Sequence, residues 1–295
     1  MRKAAIALLT FGVLAFGQPG TVHVIGPTVS GLDAIVFNGS TLLGTTAGSI
    51  KSGALYSINP STGAGTLIGN LVGATNPSLT YAITGLAVQP GTGTLFGATS
   101  KNSTNSPNNL VTVNPSTGQV TVIGPFNVPT NQGPADITFT PDGKLYGWIE
   151  PNTDSVALIN ISTGAATVVG SSGLSTFGSG IASNATGTVY YAGFGTGKPL
   201  KTINLSTGAA TDVVTMTAGA NSGDAIAALA FSPGGVLFGI EGGDVSTTRL
   251  ITIDLAAAPP PPPSTPIPPT VILTAMGMIA ATLYFNRRNL PFLRR

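Results

Sequence analysis

The sequence predicts an all-β protein, a five-bladed β-propeller of four-stranded blades. Three observations predict it. A strand–turn–strand unit recurs along the chain, a second hairpin lies between its copies, and the composition is poor in helix formers. Only 7% of the residues are charged, so Glu, Lys and Arg are scarce, while Gly reaches 40 of 295. Such a chain suits short strands joined by tight turns.

The first unit begins as Leu55-Tyr-Ser-Ile-Asn-Pro-Ser-Thr-Gly63 and continues as Gly65-Thr-Leu-Ile-Gly69. It returns as Leu110-Val-Thr-Val-Asn-Pro-Ser-Thr-Gly118 with Val120-Thr-Val-Ile-Gly124, and around Asn160-Ile-Ser-Thr-Gly164 with Thr167-Val-Val-Gly170. A fourth copy is Leu200-Lys-Thr-Ile-Asn-Leu-Ser-Thr-Gly208 with Thr211-Asp-Val-Val214. A fifth starts at Leu250-Ile-Thr-Ile-Asp254 and stops. The Asn or Asp side chain can bond the turn backbone, and Gly supplies the left-handed residue the turn needs. The strands are apolar at nearly every position, as expected when both faces are buried.

The second hairpin lies between these copies, as in Ile137-Thr-Phe-Thr-Pro-Asp-Gly-Lys-Leu-Tyr-Gly147 and Leu229-Ala-Phe-Ser-Pro-Gly-Gly-Val-Leu-Phe-Gly239. Its Pro-Asp-Gly and Pro-Gly-Gly turns are strong hairpin signals. Two hairpins make four strands, repeating about every 44–55 residues, within the range of propeller blades. The fifth copy lacks its last strand. Thr21-Val-His-Val-Ile-Gly-Pro27 matches Thr121-Val-Ile-Gly-Pro125, so residues 21–26 are expected to complete the last blade and close the ring.

The repeat resembles uncharacterised secreted bacterial propeller families with a Tyr-x-Ile-Asn-x-x-Thr-Gly-x-x-Thr-x-Ile-Gly unit. The resemblance covers nearly the whole middle of the chain. It implies a fold and no particular reaction.

The chain ends carry other signals. Met1-Arg2-Lys3, the apolar run Ala4–Phe16 and Ala15-Phe16-Gly17 read as a signal peptide over residues 1–17. The propeller is then expected over residues 18–255, a Pro-rich linker over 256–269, and a short apolar helix with terminal arginines over 270–295. The run Thr270–Phe285 would make a helix of roughly 24 Å, shorter than the roughly 30 Å hydrocarbon core. With Arg287, Arg288, Arg294 and Arg295 behind it, a span would leave the propeller outside. The Pro-rich stretch, short helix and terminal arginines resemble the PEP-CTERM class of bacterial sorting signals, although Pro266-Ile-Pro-Pro-Thr270 stands where that class has Pro-Glu-Pro. The resemblance implies export past a signal peptidase, processing by an exosortase-type enzyme, and a cell-surface or exopolysaccharide-associated location. A permanent membrane anchor is the other reading of the same segment.

Composition excludes several chemistries. Without cysteine there is no disulfide or thiolate chemistry. The formal charge of +2 comes from the two ends. Between them six basic residues meet ten acidic ones, about −4, and no basic patch suits nucleic acid. The single histidine, His23, falls in the expected closing strand and has no partners for a catalytic triad. No cofactor and no metal site is expected. Glu150-Pro-Asn-Thr-Asp154 and Glu241-Gly-Gly-Asp244 each offer two loop carboxylates and read as solvated loops.

The candidate ligand-binding residues are Trp148, Glu150, Asp154, Asp33, Asp136 and Asp224. Asp33 and Asp136 lie at the starts of inner strands and Asp224 a few residues before one, with capping of turn amides as their ordinary role. Trp148, the only tryptophan, sits where an inner hairpin exits beside Glu150. Tyr81, Tyr191 and Phe194 lie near comparable ends. The polar stretch Ser100–Asn109 is the longest loop. Together these point to a non-enzymatic surface module that binds exopolysaccharide or another surface protein. A carbohydrate-active hydrolase or lyase using Asp33, Asp136 or Glu150 is the alternative, and a purely structural surface protein is the third reading.

Overall fold

In a computed structural model, residues 19–47, 52–129, 131–152, 154–176, 178–193, 199–216, 225–242 and 248–255 are described. The expected signal segment, linker and tail helix lie outside these residues, as do Asp224, Asp244 and Phe194. No helix among the described residues is long and apolar enough to cross a membrane.

The chain opens with β1 (Val22–Pro27). Blade 1 follows as β2 (Leu32–Asn38), β3 (Thr41–Thr46), β4 (Ala54–Ile58) and β5 (Gly65–Asn70). The short β6 (Val72–Gly73) runs parallel to the outer strand of blade 2, which is β7 (Ile83–Val88), β8 (Leu95–Thr99), β9 (Asn109–Val113) and β10 (Gln119–Pro125). Blade 3 is β11 (Gly133–Phe139), β12 (Leu145–Glu150), β13 (Ser155–Ile159) and β14 (Ala166–Ser171). Blade 4 is β15 (Gly180–Ser183), β16 (Val189–Ala192), β17 (Pro199–Ile203) and β18 (Ala210–Thr215). Blade 5 takes β19 (Ile226–Phe231), β20 (Leu237–Glu241) and β21 (Arg249–Ile253) from the end of the chain and β1 from its start. The expected five blades of four strands are present, with β6 as an addition among the described residues.

The apolar runs on both strand faces are explained by where the core lies. It is divided into five hydrophobic clusters, one in each seam between neighbouring blades. Leu43 and Leu55 of blade 1 meet Ile83 and Val111 of blade 2, and Leu200 of blade 4 meets Ile226 and Ile251 of blade 5. The three inner strands of each sheet are therefore largely buried on both faces and lose strict polar alternation, while the outer strands stay largely exposed despite apolar residues such as Leu67, Val122 and Val168.

The seams are fixed at the rim by glycine. Every outer strand carries a bulge at the same place, as between Val24 and Gly26 in β1 and between Val122 and Gly124 in β10. In four of the five outer strands the residue after the bulge is a glycine that lies against the Ser-Thr-Gly turn of the next blade; in β18 it is Val214, and there the close approach is made by Gly20 of the closing segment. A Cβ on Gly26 would sit 2.4 Å from the Thr62 carbonyl oxygen, and one on Gly124 would sit 2.3 Å from that of Thr163. Only a residue without a side chain permits this approach.

The ring closes as expected, with β1 antiparallel to β21 in the register Val22↔Ile253 and His23↔Thr252. In the four intact turns the Gly N–H donates to the Asn carbonyl four residues earlier, as from Gly63 to Asn59 at 2.8 Å and from Gly118 to Asn114 at 2.9 Å. Gly20 donates to the Asp254 carbonyl at 2.8 Å, and Asp254 N–H donates to Thr21 O at 3.0 Å. Gly20 also has φ +80°, matching +79° at Gly63. The two chain segments thus rebuild, without a peptide link, the turn that the other four blades make covalently. One detail differs. The Asn side chain of an intact turn accepts from the backbone two residues on, as Asn59 does from Ser61 at 2.9 Å. The Asp254 carboxylate instead meets His23 Nε2 at 2.9 Å across the gap.

This equivalence makes a prediction. Joining Asp254 to Gly20 through Pro-Ser-Thr and opening the chain within the Asn114–Gly118 turn moves the gap to another blade. The permuted protein is expected to keep the parent circular-dichroism spectrum and to melt close to it. Failure to fold would contradict the equivalence of the cut and intact turns.

Candidate binding site at the channel mouth

The inner strands β2, β7, β11, β15 and β19 pack in a ring around the axis. Each uses one edge to pair within its blade, so its other backbone edge faces the channel. The end at which the inner strands begin is the mouth, because the second strands end there and the polar connections between blades cross it.

Asp136 closes the axis at this level. Ala34, Gly85, Gly180 and Ala228 occupy its register position in the other blades, each pairing next to the residue that precedes Ile35, Leu86, Ile181 or Leu229. The space is tight: a Cβ on Gly85 would lie 2.8 Å from the Ile137 nitrogen. The Asp136 carboxylate accepts the N–H of Ile137 at 2.8 Å and that of Ile181, from the next blade, at 3.0 Å. Burial pushes its carboxyl well above the usual range, while the amides of Ile181, Ile137 and Leu229 pull it down and the charge of Asp33 raises it. Thr138 repeats the same link one step down the strand, accepting from Ser183 N–H at 3.0 Å. Below Asp136 the channel holds a cavity of about 140 Å³, lined by residues 35–37, 86–88, 137–139, 181–183 and 229–231. No carboxylate lines it.

The seam between blades 3 and 4 departs from the repeat. Gly44, Gly97, Gly147 and Gly239 pair with the inner strands at one position in four blades. In blade 4 that position is Tyr191, paired with Ile181. A Cβ at Gly44 would lie 2.9 Å from the Leu32 side chain, and one at Gly97 would lie 3.1 Å from Ile83. Two residues before the Gly180 position, blade 4 has Gly178 where blades 1 and 2 have Leu32 and Ile83. The missing aliphatic side chain leaves room for the tyrosine. Its ring packs on Trp148, with centroids 4.3 Å apart and planes tilted by 39°.

Glu150 ends β12, and Asp154 precedes β13. Both reach the connection from blade 3 to blade 4. Glu150 Oε1 accepts the Gly178 N–H at 2.7 Å. Asp154 Oδ2 accepts the Thr176 N–H at 2.7 Å and also the Thr176 hydroxyl. The Tyr191 hydroxyl lies 2.7 Å from Thr176 Oγ1 and 3.0 Å from Ser179 Oγ. Glu150 Oε2, Asp154 Oδ1 and Trp148 Nε1 are buried without a hydrogen bond. Burial pushes Glu150 up to about 7, against the Gly178 amide and Ser179 hydroxyl that lower it, and the charges of Asp154 and Asp33 add to the rise. Burial likewise raises Asp154 and pushes Tyr191 up to about 12.

Five of the six candidates therefore gather at one end of the channel, and their roles change. Trp148 is not a loop aromatic open to a ligand: it is 0% exposed, inside the seam, because β12 runs on through it to Glu150. Asp154 is not on a solvated loop: it too is 0% exposed, held by Thr176. Tyr81 is buried in the seam between blades 1 and 2. Asp136 caps strand amides of its own and the next blade rather than a turn. Asp33 is half-buried and acts on both Asp136 and Glu150. Asp224 lies outside the described residues. Sequence reasoning did not single out Thr176 and Ser179; the signal that leads to them is the tyrosine standing at a glycine position of the repeat. Glu241 is buried and pairs with Arg249 at 2.7 Å. Among the described residues no group of three or more His, Asp or Glu gathers as metal ligands.

No family model matches the chain, and no curated protein matches it. Solved structures share the fold. A Bifidobacterium bifidum s17 protein described as an exo-beta-1,3-galactanase superposes with a TM-score of 0.53 at 11% identity, over 82% of this chain and 94% of its own. A GH43 glycoside hydrolase with an engineered active site, displaying endo-xylanase and exo-arabinofuranosidase activity, gives 0.50 at 10% identity, over 79% of this chain and 52% of its own. A glucose dehydrogenase gives 0.48 at 12% identity, over 82% and 97%. At these identities the likeness shows the propeller fold alone.

The position of Glu150 gives a pH prediction. In the unfolded chain its carboxyl ionises near 4.5, and in the fold near 7. Between those values the folded state holds the extra proton, so stability falls as pH rises from 4.5 to 7 and then levels. E150Q removes this pH dependence. Its stability relative to the parent, from urea unfolding, is expected to rise across that window by on the order of 3 kcal/mol. A constant difference between pH 4.5 and 7 would contradict the buried, proton-holding carboxyl.

Proposed function

We propose that this chain is an exported, surface-associated propeller that binds a hydroxyl-rich polysaccharide or a surface protein at the channel mouth without turning it over. The observation that carries this reading is the commitment of the mouth carboxylates to structure. Asp136 holds inner-strand amides, Asp154 holds Thr176, and neither is exposed. The cavity beneath is lined by aliphatic residues, the phenylalanines Phe37, Phe139 and Phe231, and the hydroxyl-bearing Thr138 and Ser183, with no carboxylate among its lining residues. The polar connection from Ser100 to Asn108 lies at the same end, since β8 ends there as β12 does. Its Asn105 amide donates to the Thr80 carbonyl and its Ser103 hydroxyl accepts from Ala82 N–H, so a polar connection is held in place at the mouth. Preorganised amide and hydroxyl groups suit sugar hydroxyls. Residues 1–17 would direct export, and residues 270–295 would sort or anchor the protein at the membrane.

One observation favours a second reading, a glycoside hydrolase. Burial holds the Glu150 carboxyl near 7, in the range of a general acid, and the carboxylates of Asp154 and Asp33 both act on it.

A glycan array probed with the purified protein, with products monitored in the same wells, separates the two. Retention without turnover is the expected result. Turnover that disappears in E150Q would overturn the binding reading in favour of the hydrolase. Silence in both channels would leave a purely structural surface protein.

A further inference from the structure

Glu150 and Asp154 flank the turn between β12 and β13, and a run of hydroxyls extends from Asp154 through Thr176 and Tyr191 to Ser179, beside Glu150. Thr176 gives its hydroxyl proton to Asp154, so its oxygen is left to accept. Tyr191 OH lies 2.7 Å from that oxygen and 3.0 Å from Ser179 Oγ, and Thr176 Oγ1 and Ser179 Oγ are 3.2 Å apart. The Ser179 hydroxyl in turn acts on the Glu150 carboxyl. Each acid also keeps one buried oxygen without a hydrogen bond, Glu150 Oε2 and Asp154 Oδ1. Two ionised carboxylates so placed would repel each other with little solvent between them, and one retained proton removes most of that cost.

We propose that Glu150 and Asp154 are a proton-sharing acid pair, linked through Ser179, Tyr191 and Thr176, whose protonation sets how firmly blade 3 is tied to blade 4 at the mouth. The facing groups agree with this. Asp33 on β2 and Asp154 both raise Glu150, while Tyr191 on β16 is pushed to about 12 and keeps its proton as a relay. Asp136 on β11 is separately held by strand amides. Neither acid has an ion pair among the described residues. The shared proton belongs to the pair, so its titration is a property of both residues. Loss of the proton puts a second charge beside the bonds to Thr176 and Gly178, which are the ties across the seam at the mouth made by these two acids. The reading does not depend on what the mouth binds.

Trp148 reports on the seam directly, because it is the only tryptophan in the chain and packs on Tyr191. The test is Trp148 emission and acrylamide quenching of the full-length protein in detergent from pH 5 to pH 9 (experimental settings, about the range a raised carboxyl spans). One transition is expected with a midpoint near 7, the value at which Glu150 is held, and with greater quenching on the alkaline side. It is expected to vanish in E150Q, to move to lower pH in D154N as the repulsion is removed, and to persist in H23Q, which lacks the only histidine. A flat profile in the parent, a transition that survives in E150Q, or one that vanishes in H23Q would overturn the proposal. Should E150Q fail to fold, amide exchange of Thr176 and Gly178 in the parent decides. Protection corrected for intrinsic rates is expected to fall about tenfold or more from pH 6 to pH 8, and unchanged protection would overturn it.

Discussion

Whatever sits at the mouth of the channel depends on a ring that must shut without a covalent bond between its first and last strands. An open fifth blade would expose the edge of β21 and leave the seams on either side of it half-formed. The chain avoids this by cutting its repeat inside a turn whose geometry survives the cut. Gly20 keeps the positive φ and the hydrogen bond of a turn glycine, and Asp254 keeps both backbone bonds of a turn asparagine. The Asp254 side chain, released from the turn, meets His23 instead. The only histidine is thus used at the closure.

Closure in turn fixes the seams. Because each rim glycine abuts the next blade's turn, the blades are held in contact at the rim while the inner strands crowd at the axis. Crowding explains why small residues fill most positions beside Asp136, and why one carboxylate suffices to bridge neighbouring strands. The seam between blades 3 and 4 is where the repeat gives up uniformity. Tyrosine replaces a packing glycine, tryptophan fills the adjoining place, and two acids with three hydroxyls cover them. In a molecule built from copies, local departures are where specific properties can reside without disturbing the remaining blades.

Much of the fold was legible in the sequence because the period is carried by backbone demands. Asn, Ser, Thr and Gly are required by a turn and recur at each one, and the truncated last copy with Thr21–Pro27 at the other end revealed the permutation. The candidate acids were also legible as residues near inner-strand ends, and five of them do gather. Their burial was not. Trp148 and Asp154 looked like loop residues because nothing local shows that blade 4 leans over them. Exposure is set by the connection carrying Thr176, which is distant in sequence from Asp154, and by the absence of a side chain at Gly178. The β6 segment was missed for a related reason: two residues give no periodicity, and it forms only because β10 offers an open edge.

The closure is tested most directly by a cross-link in a chain that has no cysteine of its own. His23 and Thr252 face each other in the β1–β21 register, on the side where His23 is exposed. Directly opposed strand positions lie within the reach of a disulfide. H23C/T252C, oxidised at low concentration and mapped by mass spectrometry, is predicted to form one intramolecular bond in nearly all molecules, and neither single variant should. If the pair stays reduced, or links only between molecules, β1 does not complete blade 5 and the account of the ring fails.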